Sequence, residues 1–234
     1  GGIALGARLR QHGVPTLIVD RNNRPGDSWR NRYKSLCLHD PVWYDHLPYL
    51  PFPSNWPVFS PKDKIGDWLE MYTKVMELNY WTGSAVTRAK FDVEAQEWVV
   101  QVDRDGTPVT LRPKQLVFAT GMSGKAVIPN FPGKESFTGD QQHSSTHPGP
   151  EAYEGKKAVV IGSNNSAHDI CAALWEEGAD VTMVQRSSTH IVQSDLLMRH
   201  GLSPLYSEEA VAQGMTTELA DLTFASIPYT VLHD

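Results

Sequence analysis

The stretch VVIGSNNSA, residues 159–167, carries an apolar run into a small, polar turn and then into a helix-like sequence. It is close to the glycine fingerprint of a dinucleotide-binding fold, with Gly162 and Ala167 at small positions and Asn164 where the middle glycine belongs. Such a turn presents a pyrophosphate to backbone N–H groups at a helix N-terminus, where the peptide dipoles favour negative charge. The middle glycine lets the backbone approach the ligand, and Asn is the non-glycine residue most at ease in left-handed conformations, so binding is expected to survive the change. Gly162, Ser163, Asn164, Asn165, Ser166 and Ala167 are therefore candidate nucleotide contacts.

A fingerprint of this kind normally opens a domain, and its place late in the chain is explained by a repeat. Aligned without a gap, GIALGARLRQHGVPTLIVDR from Gly2 matches AHDICAALWEEGADVTMVQR from Ala167. Gly13 and Gly178 fall at the same offset, where a helix C-terminus wants a residue tolerant of positive φ. Apolar helix positions precede them, and short strands over residues 16–19 and 181–184 follow. Each copy thus predicts half of a mononucleotide-binding βαβ unit, and two copies predict two dinucleotide sites.

The copies differ at the end of the second strand, with Asp20 in one and Gln185 in the other. An acid there accepts from ribose hydroxyls and repels a 2′-phosphate, so the first copy suits FAD or NAD. Without the acid and with Arg186 adjacent, the second copy suits NADPH, although Arg21 occupies the matching slot of the first.

The bulk of the chain excludes other classes. A net charge of -6, with no clustered Lys/Arg excess, argues against a nucleic-acid surface, and a small-molecule partner is the better expectation. Cys37 and Cys171 make neither a disulfide framework nor a zinc site, which fits a reducing, cytoplasmic setting. No apolar stretch approaches the roughly 20 residues that span a bilayer.

Between the two turns, residues 24–61 are rich in Pro and aromatics and read as loops. Six of the seven tryptophans fall between Trp29 and Trp98, where flat rings either pack on a flavin or its substrate or fill an irregular core. SPKDKIGDWLEMYTKVMEL predicts a helix with Ser60 as N-cap, Pro61 first and Asp63 three after the cap, burying Ile65, Trp68, Leu69, Tyr72, Val75 and Met76. A hairpin is expected from 98–102 to 109–111 through Asp105-Gly106, then a buried strand LVFATG, residues 116–121, and a linker IPNFPG.

In this order, GDSWRNRY, LPFPSNWPVFSPKD, the ATG of Ala119, Thr120 and Gly121, FTGDQQHSS and the second turn resemble the flavin-containing monooxygenases, most nearly the plant YUCCA-like branch and its fungal or bacterial relatives. The resemblance implies an α/β fold of two Rossmann-like dinucleotide-binding domains, three-layer ββα/βαβ in type: residues 1–150 for FAD and 151–234 for NADPH. It implies FAD on Gly2, Asp20 and Arg21, near Trp29, Arg30, Ala119, Thr120 and Gly121, and NADPH on the second turn with Arg186 and Ser187. The family signature FxGxxxHxxx(Tyr/Phe) falls on Phe137, Gly139 and His143 and departs at its last position, His147. Those two histidines lie in a Ser/Pro loop without the helical spacing of a metal pair, so no metal is expected.

Where many family members place an Asn near the flavin, this chain has His39, either a catalytic residue or a histidine hydrogen-bonded within a loop. The implied reaction reduces FAD with NADPH, adds O₂, and passes one oxygen atom from a flavin (hydro)peroxide to a small substrate, at nitrogen or sulfur or at a carbonyl or keto acid. A pyridine nucleotide-disulfide reductase without oxygenation would share the fold but needs a redox cysteine pair, which Cys37 and Cys171 do not form by spacing. Because the chain starts at the last glycine of the first turn, it also reads as a fragment of a longer enzyme, for which activity and FAD binding on its own are not assured.

Overall fold

The computed structural model describes residues 1–42 and 45–228, so Trp43 lies outside the described residues. Helix α1 (Gly2–Gln11) runs into strand β1 (Ile18–Val19), and later α4 (Asn165–Glu176) into β7 (Asp180–Val184). Both helices end on a left-handed glycine, Gly13 at φ 69° and Gly178 at φ 87°, as the repeat predicts. The first expected strand shortens from four residues to Ile18–Val19. It pairs in parallel with β2 (Tyr80–Trp81), while β6 (Lys157–Ile161) pairs in parallel with β7 over five residues. These are Rossmann-like units, each a helix laid over parallel strands.

Between them lie α2 (Asp27–Arg30), α3 (Lys62–Val75) and an antiparallel meander β3 (Ser84–Asp92), β4 (Glu97–Arg104) and β5 (Thr107–Leu111). The predicted hairpin is β4–β5, turned by Asp105 at φ 49° and Gly106 at φ 82°, the pair of positive φ values that matches strand twist. After β7 come α5 (Ser194–Leu196), a π-helical stretch Leu197–Leu202, α6 (Glu208–Ala212) and α7 (Thr217–Ser226).

Four expectations are corrected. Residues 116–121 form no strand, and Val117 and Phe118 are 59% and 76% exposed. A buried strand needs neighbours on its edges, and among the described residues none pairs with this run. Ser60 is not the cap of α3: Pro61 is, at φ −61° and ψ 148°. An isolated bridge between Cys37 and Pro61 keeps the chain extended there, and the buried Ser60 hydroxyl donates instead to Pro57 O at 3.0 Å. Of the predicted α3 face, Ile65 and Tyr72 are buried but Val75, in the last turn, is 56% exposed. Asn164 is not left-handed either; at φ −93° and ψ 174° it is the extended N-cap of α4.

Two apolar clusters position the site. One gathers Tyr33, Leu36, Ile170, Leu174 and Ala179, the other Leu38, Val42 and Ile65, and Trp29 packs against both. Segment 24–61 therefore contributes to the core beneath α4 as well as to its own. Its entry is fixed by a close crossing: Gly26 sits at φ 90°, and a Cβ there would fall 2.2 Å from Gly66 O in α3. Only glycine allows α2 and α3 to meet this closely.

Candidate functional site

The first turn begins at Gly2, and no side chain caps α1, so its first N–H groups are left for an anion. A Cβ on Gly2 would stand 3.3 Å from the Ala119 Cβ, so the ATG segment lies against this turn, with Ala119, Thr120 and Gly121 exposed. At the end of β1, Asp20 Oδ1 accepts from Asn22 N and Asn22 Nδ2, both at 2.9 Å. Its Oδ2 accepts from the Tyr80 hydroxyl at 2.6 Å. Burial, reinforced by Asp20, pushes the Tyr80 phenol well above its ordinary range, so it stays a donor. One Oδ2 lone pair remains for a ribose hydroxyl.

Arg21 is exposed and donates to Gly124 O at 3.2 Å. Arg30 turns inward: its guanidinium meets Asp27 at 3.0 Å, Asp67 at 2.8 Å and Glu70 at 3.0 Å, and donates to Pro25 O. Burial works against this charge, but the hydrogen bonds it donates to Asp67 and Asp27, with the nearby carboxylate charges, outweigh it. Arg30 thus clamps α2 to α3, and Trp29 beside it packs on both apolar clusters.

At the second turn a Cβ on Gly162 would lie 3.2 Å from the Ala167 Cβ, which is the tight helix-to-strand approach the fingerprint demands. The Ser163 carbonyl accepts from Thr189 Oγ1 at 2.6 Å. Asn164 makes no side-chain cap, so the start of α4 is open to a ligand. Gln185 Nε2, just past β7, lies 3.2 Å from Nε2 of His168 on α4, and Arg186 and Ser187 are exposed. Arg186 has no ion pair or hydrogen bond among the described residues.

His39 joins the segment before α3 to the helix that this turn opens. Its Nε2 lies 3.0 Å from Asp169 Oδ2, and Asn165 Nδ2 lies 2.8 Å from its Nδ1. Tyr33 donates to the same Asp169 oxygen at 2.7 Å. The hydrogen bond to Asp169 raises the His39 imidazole above its ordinary value against the pull of burial. Burial would raise Asp169, but the bonds from His39 and Tyr33 prevail and hold it low. Asp169 and Tyr33 were not among the residues picked out by sequence; the signal available was that Asp169 follows Asn165 by four, on one helix face.

The signature residues fall on the chain between the two turns. Phe137 and Gly139 fall in the exposed run 117–142, with the Phe137 ring 2.7 Å from where a Gly139 Cβ would be. His143 accepts from Ser145 N at 3.2 Å and starts a 3₁₀ turn, and His147 stacks on Tyr153 at 5.6 Å. Cys37 and Cys171 are free thiols, each pushed up by burial.

Two glycine turns, each opening a helix that packs on parallel strands, define a protein built on two dinucleotide-binding folds. The chain belongs to the pyridine nucleotide-disulphide oxidoreductase family, whose profile matches residues 1–226. It is 32% identical over 232 residues to indole-3-pyruvate monooxygenase YUCCA1 of Oryza sativa subsp. japonica, covering 99% of this chain and 56% of that protein. Against probable indole-3-pyruvate monooxygenase YUCCA3 of Arabidopsis thaliana it is 30% identical, with 99% and 54% covered. The structure of a flavin-containing monooxygenase from Stenotrophomonas maltophilia superposes with a TM-score of 0.75 at 25% identity, over 92% of this chain and 66% of that one. The resemblance drawn from the sequence motifs is borne out, and the chain spans about half the length of the curated relatives it matches.

Proposed function

We propose that the protein is the cofactor-binding part of an FAD- and NADPH-dependent monooxygenase, with FAD on residues 1–150 and NADPH on 151–234. The observation that carries this reading is the pairing of unlike strand ends on like turns, with Asp20 after α1 and Arg186 after α4. The flavin, once reduced by NADPH, supplies the activation of O₂ for one-atom transfer to a small organic substrate. The chain's own residues supply binding and orientation.

At the first turn, Gly2 admits a pyrophosphate to the start of α1, and Asp20 accepts from the ribose through its remaining lone pair. Ala119, Thr120 and Gly121 border the same face, and Arg21 stands beside it. At the second, Gly162, Ser163, Asn164, Asn165, Ser166 and Ala167 cradle the second pyrophosphate, while Arg186 and Ser187 meet the 2′-phosphate that Gln185 does not repel. The signature residues Phe137, Gly139 and His143 lie on the connection between the two units. The aromatic cluster of Phe52, Trp56 and Trp68, with ring centroids 5.2 to 5.5 Å apart, supplies apolar surface against which water is excluded.

Among substrates, a 2-keto acid is the first to test, because the relatives are named for indole-3-pyruvate; amines and sulfides are the second class. A reducing, cytoplasmic setting agrees with the two free thiols. The test is to incubate the purified chain with FAD, remove unbound flavin, and follow NADPH oxidation with and without keto acids, amines and sulfides. Retained flavin and substrate-stimulated NADPH consumption are the expected results. A chain that retains no flavin at all would overturn the FAD assignment for residues 1–150.

A further inference from the structure

The imidazole of His39 spans one face of the first turn of α4, because Asn165 and Asp169 are four residues apart on that helix. Its two protonation states ask for different partners. A neutral ring donates from Nε2 to Asp169 and leaves Nδ1 to accept from the Asn165 amide NH₂, as the 3.0 and 2.8 Å contacts allow. A charged ring donates from both nitrogens, so the amide must turn over, give Oδ1 to His39, and release its NH₂ to the opposite side.

The charges around the ring are mixed. Asp169 from α4 favours the imidazolium most, Asp40 on the ring's own segment adds to it, and Arg32 on that segment and burial oppose it. His168 on α4 acts on Asp169 in turn, Tyr33 donates to the same carboxylate, and the Cys37 thiol also feels it.

We propose that His39 is a positioning residue for the second nucleotide: protonation of its ring and binding of a nucleotide diphosphate at the start of α4 favour one another through Asn165. This rests on the reading of that turn as the NADPH site. The imidazolium adds positive charge beside a helix N-terminus and frees the Asn165 NH₂ to donate to a diphosphate oxygen. By linkage, a bound diphosphate holds the proton on His39 by the same factor.

The test is calorimetric titration of NADP⁺ into the 234-residue chain and its His39→Gln variant from about pH 5.5 to about pH 8.5, the span of histidine titration. The nucleotide's own 2′-phosphate titrates near pH 6 in both proteins, so the difference between them is what counts. Wild-type affinity is expected to fall about tenfold more than that of His39→Gln as pH rises. An imidazole NMR titration supplies a readout independent of turnover: the His39 midpoint drops in Asp169→Asn and rises about one pH unit when NADP⁺ saturates the wild type. Equal pH slopes in the two proteins, or a His39 midpoint unmoved by NADP⁺, would overturn the inference and leave the nucleotide site standing. NADP⁺ bound by neither protein at any pH would overturn both.

Discussion

Helices α1 and α4 end alike, on Gly13 and Gly178, and each feeds a parallel strand pair, but the strand ends that follow them differ. Around the first, polar groups are committed to one another: Asp20 to Tyr80 and Asn22, and Arg30 to Asp27, Asp67 and Glu70. Around the second, His39, Asp169, Tyr33 and Asn165 are also joined, but at the strand end Arg186 and Ser187 are exposed and Gln185 leans on His168. Groups held in place before a ligand arrives lower the ordering cost of binding, whereas exposed side chains must be ordered each time. The contrast is the one expected if, as proposed, the first site holds a resident cofactor and the second an exchanging one.

The largest expected effect tests the rigidity of the first region. Gly26→Ala must place a Cβ 2.2 Å from Gly66 O at φ 90°, and a loss of about 3 kcal/mol or more is expected in urea unfolding. Gly178→Ala is also strained at φ 87° but meets nothing within 4 Å, and about 1 kcal/mol is expected. Equal losses would erase the difference between a clamped and an open region. Next in size, Arg186→Ala is expected to weaken NADP⁺ about tenfold to a hundredfold with little change for NAD⁺, the worth of one charge-assisted hydrogen bond. An unchanged preference would remove the 2′-phosphate reading of the second turn.

Tyr80→Phe takes one donor from Asp20 and leaves Asn22, so about 1 kcal/mol of stability is expected to go, with flavin retained less firmly. The smallest effect is a pH dependence. His39 is raised in the fold, so its contribution is whole below the ordinary value near 6.5 and is lost as pH climbs through the folded one. Asp169 is depressed, so its contribution is present above about pH 4 and lost as pH falls. The pair therefore helps most between about pH 4 and pH 6.5, by less than about 1 kcal/mol, since the His39 side chain is 37% exposed and screened. The gap between the unfolding midpoints of wild type and Asp169→Asn is expected to narrow above that window, leaving the part owed to the Tyr33 bond; a gap that widens with rising pH would reverse the assignment.

Much of this was legible in the residues because it is local. The gapless repeat announced α1, α4 and their left-handed glycines, and Asp-Gly announced the β4–β5 turn. What was not legible depends on distant partners. Helix α2 sits in a Pro-rich loop and owes its place to Gly66 and to carboxylates on α3. Strand β3 lacks a clean apolar alternation, since most of its residues are exposed and its register shifts between Val86 and Arg88. LVFATG has the composition of a buried strand, but burial is decided by neighbours that composition does not contain. Asp169 looked like an ordinary helix acid until the fold brought His39 and Tyr33 to it.

Tyr33 has a consequence for how the molecule comes apart. Its ring is 1% exposed within the cluster under α4, while its backbone belongs to the segment that precedes α3. Opening either Rossmann-like unit would strip this aromatic from its surroundings and expose the Asp169 bond with it. That shared packing couples the two units, so after a protease cut in the exposed run 117–142 the two pieces are expected to stay associated and to melt in a single transition, which calorimetry of the cleaved chain checks.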